Sequence, residues 1–284
     1  MTTVHTVADL RRALAPHRSH QTIALVPTMG ALHSGHVALF ETARRSADVV
    51  VASIFVNPSQ FGDPADLARY PRTEAEDERL AVAAGVDFCF APTVSELYPE
   101  GFATWVQVDG PAQELEGAHR PGHFRGVATI CTKLFNIVAP HIAFFGQKDA
   151  QQVAVIRRLV RDLNLDLEIR VVPTVRDHDG LALSSRNQHL SAEERTRALV
   201  IPRALDAGLE AFRRQEDPAA AARAVLSGAP GVDIDYVAVA DFSGQPTLTI
   251  AARVGRTRLI DNAPLVLEGR PALTAISTAG EMSR

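Results

Sequence analysis

Short apolar runs rich in β-branched residues recur through the first two thirds of the chain, separated by stretches with helical spacing. Ile23–Val26 breaks at Pro27 and turns through Gly30, Val49–Val56 stops at Asn57 and Pro58, and Val86–Phe90, Ile142–Phe145 and Leu167–Val172 follow. Runs without polar alternation suit strands buried on both faces, the pattern of a parallel sheet. Between them a helix is expected over about residues 35–46, and another from a Thr73/Glu76 capping box to about Ala84. A third follows Val127, Ile130, Cys131, Leu134, Ile137 and Val138, and a fourth spans Gln151–Leu163. This alternation predicts an α/β fold, a Rossmann-like parallel sheet with helices on both faces. Residues 92–125, rich in Pro and Gly, read as a long loop.

The character changes after about residue 175. Ser191 and Glu194 form a second capping box opening a helix of roughly 20 residues, and Asp217 with Pro218 reads as the N-cap and first position of another. Asp233–Asp241, Thr249–Val254 and Arg258–Ile260 read as strands, while the tail beyond Pro264 is ambiguous. The expectation is a Rossmann-like domain over residues 1–175 and a smaller α+β domain over 176–284. A net charge of −4 gives no sign of a nucleic-acid or anionic-membrane partner. No stretch approaches the roughly 20 apolar residues of a membrane span, and Met1–Leu10 lacks the basic-then-apolar order of a secretory signal. Cys89 and Cys131, each inside an apolar run, read as buried thiols in a reducing compartment. The chain is therefore expected to be soluble and cytoplasmic.

Four segments carry chemistry. His33 and His36 flank Gly35 where the first strand turns into a helix, and a helix N-terminus attracts anions through its unpaired N–H groups and dipole. A polyphosphate is expected on that turn, with both rings aimed at it. In the second segment Gly146 ends a buried strand, and Lys148 and Asp149 open the next helix. They provide a point charge for phosphate and an acceptor for ribose hydroxyls, and Gln152 falls one helical turn beyond Lys148. Ser184, Ser185 and Arg186 supply hydroxyls and a guanidinium fork at the junction of the two halves. Asn57 and Gln60, at the end of the neighbouring strand, are neutral groups suited to orienting a hydroxyl- or carboxylate-bearing small molecule. Glu74, Glu76, Asp77 and Glu78 read as a solvated helix face, with Asp77 a candidate to reach Mg²⁺ through water.

In this order the segments resemble the pantoate–β-alanine ligase (pantothenate synthetase) family. The resemblance rests on PTMGALHSGH at 27–36, FVNPSQF at 55–61, YPR at 70–72, ELEG at 114–117, HFRGV at 123–127, FGQKD at 145–149 with Gln151 and Gln152, and SSRN at 184–187. It implies ATP-dependent condensation of (R)-pantoate with β-alanine to pantothenate, AMP and pyrophosphate through a pantoyl adenylate, with Mg²⁺ and in a homodimer. It implies ATP contacts from Thr28, Met29, Gly30, Ala31, Leu32, His33, Ser34, Gly35 and His36, and from Gly146, Gln147, Lys148 and Asp149. Adenine would meet backbone at Val175 and Leu183. His33, His36, Lys148, Ser184, Ser185 and Arg186 would neutralise the phosphates as pyrophosphate departs, His36 also donating a proton. Gln60 would hold pantoate and β-alanine, Gln152 pantoate, and residues 176–284 would act as a lid. Gln147, Ala150 and Leu183 depart from the family's usual Glu, aromatic residue and Met. A nucleotidylyltransferase of the same superfamily would need further Lys and Arg for a phosphorylated acceptor. A regulatory nucleotide binder would be expected to lack some of these phosphate-contacting side chains.

Overall fold

The computed structural model describes residues 1–242 and 244–266. Its larger sheet is parallel throughout: β1 (Thr2–Val4), β2 (Ile23–Thr28), β3 (Val49–Ile54), β4 (Phe88–Phe90), β5 (Ile142–Gly146) and β6 (Glu168–Val172), in the order β1-β4-β3-β2-β5-β6. Side chains alternate across it with a period of two. Ile23, Leu25, Val49 and Val51 bury against helices Val7–Leu14, His123–Val138 and Ala150–Asp162, while Ala24, Val26, Val50 and Ala52 bury against Ser34–Arg44 and Glu74–Ala83. The sheet is thus covered on both faces, as the unbroken apolar runs require.

Strand order creates the binding position. From β2 the chain runs outwards through β3 and β4 on one side, and later through β5 and β6 on the other. The loops leaving the carboxyl ends of β2 and β5 diverge at this switch point, where open α/β sheets form their ligand crevice. The histidine pair follows β2, and Gln147–Asp149 follow β5.

The second core belongs to an antiparallel meander, β7 (Val232–Asp241), β8 (Pro246–Val254) and β9 (Thr257–Pro264), with Leu205 and Leu226 of helices Val200–Arg213 and Pro218–Ser227 packed on Leu248 and Ile250. Both N-terminal caps read from the sequence form. Ser191 and Glu194 bond reciprocally, and Asp217 accepts from the Ala219 and Ala220 amides.

Several expectations change. Thr2–Val4 and helix Val7–Leu14 precede the first strand read from the sequence. The helix after Ser191 is two, Ala192–Ala198 and Val200–Arg213, because Pro202 has no N–H to continue the ladder across the junction. Residues 92–125 hold the short turns Val94–Leu97 and Glu116–His119, and the following helix starts at His123 behind a left-handed Gly122 (φ 81°). Thr73 does not form the expected capping box. Its hydroxyl donates to Asp77 (2.9 Å), and Glu76 pairs with Arg79 instead. Of the ambiguous tail, everything after Val266 lies outside the described residues.

Candidate active site

The turn after β2 is built before any ligand arrives. Gly30 (φ 78°) and Ala31 (φ 50°) are both left-handed, and a side chain at Gly30 would meet the Asp77 carboxylate at 2.9 Å. Asp77 holds the turn from below: the Ala31 and Leu32 amides donate to its two oxygens (2.9 and 2.8 Å), and Thr73 adds a third bond. These bonds bear on the expectation that Asp77 reaches a metal through water. The carboxylate is buried and committed to backbone on the far side of the turn.

His33 and His36 form a reciprocal cap with imidazoles in place of Ser and Glu. The Gly35 amide donates to His33 Nδ1 (3.1 Å), and the His33 amide donates to His36 Nδ1 (3.2 Å). A ring nitrogen that accepts carries no proton, so in both neutral imidazoles the hydrogen sits on Nε2. Gly35 makes this possible, since a Cβ there would strike the His33 ring at 2.9 Å. The rings lie 4.1 Å apart. Burial, then Lys148, lowers the His33 pKa to about 4; burial, then His33 and Lys148, lowers that of His36 to about 3. In the free protein both rings are therefore neutral Nε2–H donors at pH 7 rather than cations.

One cleft gathers Thr28, Met29, His33, Gly35, His36, Asn57, Gln60, Gly146, Lys148, Asp149, Gln152, Val175, Leu183, Ser184, Ser185 and Arg186. Gly30, Ala31, Leu32 and Ser34 form the turn behind it and do not line it. Gln147 also stays outside: its amide donates to Asn262 of β9. Gly146 has open space where a side chain would stand. The Leu183 amide already donates to the Val175 carbonyl (3.0 Å), leaving the Val175 N–H and the Leu183 C=O for a base. Ser184 accepts from the Arg186 amide, Ser185 Oγ lies 3.2 Å from the Tyr70 hydroxyl, and Arg186 pairs with Asp66 (3.1 Å).

Asn57 lines the cleft but has no donor to spare. Its Nδ2 donates to Gln60 Oε1 and the Gly126 carbonyl, and its Oδ1 accepts from Ser59 and Tyr98. Asn57, expected to contact substrate, thus stands in the cleft with its amide bonded to Gln60 and to the Gly126 carbonyl. Among the described residues Gln60 Nε2 meets only the Met29 thioether (3.1 Å), a weak acceptor that an oxygen would replace. Beneath lies an apolar floor of Val127, Ile130, Cys131 and Leu134. Cys131 is a free, buried thiol whose pKa burial raises to about 12, as the isolated-cysteine reading expects.

Sequence reasoning gave no role to Ser53, Tyr70, Arg120, His123 or Thr174, all of which line the cleft. Ser53 Oγ and Thr174 Oγ1 are buried without a partner among the described residues. His123 Nδ1–H donates to the Gln60 carbonyl (2.9 Å), leaving Nε2 to accept from Arg120 (3.2 Å), and burial lowers its pKa to about 4. Arg120 also pairs with the buried Glu116 (3.7 Å). Tyr70, Arg120 and His123 sit in or beside motifs the sequence displays, but only the fold brings Arg120 and His123 to Gln60.

Residues 2–264 match the family model described as pantoate-beta-alanine ligase. A pantothenate synthetase from Moorella thermoacetica is 50% identical over 279 residues, covering 93% of this chain and 99% of that protein. The crystal structure of pantothenate synthetase from Thermus thermophilus superposes with a TM-score of 0.89 at 48% identity, covering 93% of this chain and 99% of the other. A pantoate-beta-alanine ligase from Francisella tularensis, solved with beta-gamma ATP and beta-alanine, superposes with a TM-score of 0.81 at 33% identity over 93% and 98% of the two chains.

Proposed function

The chain belongs to the pantoate–β-alanine ligase family, and from that premise we propose how its cleft performs the ATP-dependent joining of pantoate to β-alanine. The observation that carries the proposal is the cleft's division: a rim of phosphate-directed donors above an apolar floor edged by neutral amides. Pantoate has matching parts, a gem-dimethyl centre for Val127, Ile130 and Leu134, and hydroxyl and carboxylate oxygens for Gln60, Gln152 and the unpartnered Ser53 hydroxyl. A nucleotidylyltransferase acceptor carrying phosphate would meet a single cation beside that floor, Arg120, rather than a cluster of Lys and Arg.

In the first step a pantoate carboxylate oxygen attacks the α-phosphorus of ATP, the bond to the bridging oxygen breaks, and pyrophosphate leaves. His33 and His36 present fixed Nε2–H donors to the charge growing on those phosphates, and Lys148 adds an ammonium unpaired among the described residues. Ser184, Ser185 and Arg186 close the phosphate site from the other side, Asp149 and the space above Gly146 receive the ribose, and the Val175 and Leu183 backbone receives adenine. In the second step the neutral amine of β-alanine attacks the acyl carbon, AMP leaves, and the extra amine proton passes to phosphate or solvent. Arg120, fixed beside Gln60 by Glu116 and His123, receives the β-alanine carboxylate. Mg²⁺ enters with ATP. It would offset the charge of the phosphates it is bound to, and among the described residues no group of three or more His, Cys, Asp or Glu side chains forms a metal site of its own.

We divide the chain at 175/176 into the ATP- and pantoate-binding unit and the lid unit. We also propose a cytoplasmic homodimer. Support for the dimer lies in residues 103–109: within that stretch only the Val106 amide finds an acceptor, Thr129 Oγ1, and Trp105 is 43% exposed. Among the described residues no helix is long and apolar enough to cross a membrane. The adenylate step is tested by pantoate-dependent exchange of labelled pyrophosphate into ATP without β-alanine. Exchange is expected, and pantothenate synthesis without exchange would overturn the adenylate.

A further inference from the structure

Strand β9 places two buried polar side chains, Asp261 and Asn262, and the partly buried Arg258 against the larger domain. Asn262 Nδ2 donates to both the Gln147 and Lys148 carbonyls (3.0 and 2.9 Å), and its Oδ1 accepts from Gln147 Nε2 (3.3 Å). Its neighbour Asp261 takes a two-point bond from Arg176 (2.6 and 3.0 Å). Arg176 pairs with Ala182 and donates to the Gly180 carbonyl, in the segment that delivers Ser184–Arg186. Arg258, at the start of the strand, grips Glu116 (2.8 and 2.6 Å), the carboxylate that also faces Arg120.

A buried carboxamide costs free energy unless its atoms are paired. Here every side-chain bond of Asn262 among the described residues is made across the gap between the two cores, to the one turn that carries Lys148. That turn is a single 3-10 turn, Gln147–Asp149, with no side-chain cap of its own. A carbonyl oxygen has two lone pairs, so each one in such a turn can take an external donor besides any bond within the turn. Asn262 is that donor for two consecutive residues, so it sets where the Lys148 side chain departs from the backbone.

We propose that Asn262 is a positioning residue for pantoate adenylation, acting through Lys148. The C-terminal sheet is then more than a cover, because one of its strands registers the cationic wall of the phosphate site. This rests on the adenylation reading above.

The test measures both half-reactions in purified full-length protein: pantoate-dependent pyrophosphate exchange, and capture of supplied pantoyl adenylate by β-alanine. Asn262→Ala is expected to lower the exchange kcat about 10- to 100-fold, by the scale of an ångström misplacement of a reacting group. Its KM for pantoate and its adenylate-capture rate should stay within threefold of the parent. In a Lys148→Ala background the same substitution should change exchange less than threefold, because a residue acting through Lys148 has nothing left to position. Asn262→Ser is the second variant should the alanine protein not fold, read by the same measurements. An equal fall in both half-reactions, multiplicative effects with Lys148→Ala, or parent-like exchange would overturn the proposal. Absence of exchange in the parent protein would instead overturn the adenylate reading itself.

Discussion

Replacing Asp77 by Asn separates a structural carboxylate from a metal ligand. The carboxylate accepts the Ala31 and Leu32 amides and the Thr73 hydroxyl, at 2.9, 2.8 and 2.9 Å, and is buried. Asn has one oxygen, which can keep the Leu32 and Thr73 bonds; its NH₂ group then faces the Ala31 amide, donor against donor. A bond to a charged acceptor is worth about 1.5–3 kcal/mol, and a buried N–H without a partner costs about 1–3 kcal/mol, so the change should cost roughly 3–5 kcal/mol. At about 2–4 °C per kcal/mol for a chain of this size, Tm should fall by roughly 6–20 °C. The loss should appear in thermal unfolding followed by circular dichroism with no ATP or Mg²⁺ present. Exchange should fall at least about tenfold, since the released turn leads into His33 and a misplaced donor is poorly used. The reasoning fails if the variant melts within about 2 °C of the parent and differs only in needing more Mg²⁺. That outcome would return Asp77 to the metal.

Other substitutions probe the same site. His36→Asn keeps an acceptor for the His33 amide but removes the Nε2 donor; stability should hold within about 0.5 kcal/mol while exchange falls about 10²- to 10³-fold. His36→Gln should do the reverse, losing about 1 kcal/mol and retaining more turnover, and two variants with indistinguishable melting and exchange would refute the tautomer argument. Burial lowers the pKa values of His33, His36 and His123 to about 4, 3 and 4. Below pH 6.5 the unfolded chain therefore binds more protons than the folded one, so stability falls with pH, by about 1.4 kcal/mol per unit for each imidazole between about pH 6 and 4. Above pH 7 these groups add no slope; urea midpoints equal at pH 7 and 5 would contradict their neutral burial. Arg120→Gln should raise the KM for β-alanine at least about tenfold yet leave pantoate-dependent exchange and the slow use of propylamine, which has no carboxylate, within threefold. A loss of exchange would move Arg120 to the phosphates. Trp105→Glu should convert a species of twice 30.6 kDa into a monomer in sedimentation experiments, and a monomeric parent would end the dimer proposal.

Much of the fold was legible because β2, β3 and β5 bury both faces and so leave unbroken apolar runs. Thr2–Val4 was not, since it is an exposed edge strand of three residues with no such run. Ser184–Arg186 reach the cleft well beyond the end of β6, but the places of Lys148 and Asp149 after β5, and of His33 and His36 after β2, were legible as well. Their electrostatics were not: a charged reading of His33 and His36 ignores burial and a cap made by the rings themselves, and the usual capping-box letters do not include His. Asp77 lies among Glu74, Glu76 and Glu78, and helix Glu74–Ala83 has too little apolar periodicity to show which acid turns inward. Its only local signal was Thr73 four residues earlier. Arg120 and His123 stand some 60 positions from Gln60, so their bonds to its carbonyl exist only once the fold is closed.

The hydrogen-bond ledger of the cleft sorts its polar groups into two kinds, and the sorting follows from what burial demands. Asn57, Asp77 and Asn262 have buried polar atoms matched to protein partners, so a ligand bonding to them would have to break what they already hold. Gln60 Nε2 rests on a thioether, and Ser53 Oγ has no partner among the described residues; both are buried at a cost that an incoming oxygen removes. Lys148 and Gln152 likewise face the cleft without a protein partner among the described residues. On the proposed reading, saturated groups hold the geometry and unsaturated groups meet the substrate. By that criterion Asn57→Ala and Ser53→Ala, two substitutions in the same cleft, should differ in kind. The first should lower stability by about 2–4 kcal/mol as the Gln60, Gly126 and Tyr98 partners are orphaned. The second should leave Tm unchanged or slightly raised, because it deletes an unpaired hydroxyl, and should raise the KM for pantoate about three- to tenfold. Denaturant titration and steady-state kinetics on the pair decide the matter, and a Ser53→Ala protein that is destabilised with parent-like KM would show that this hydroxyl is structural.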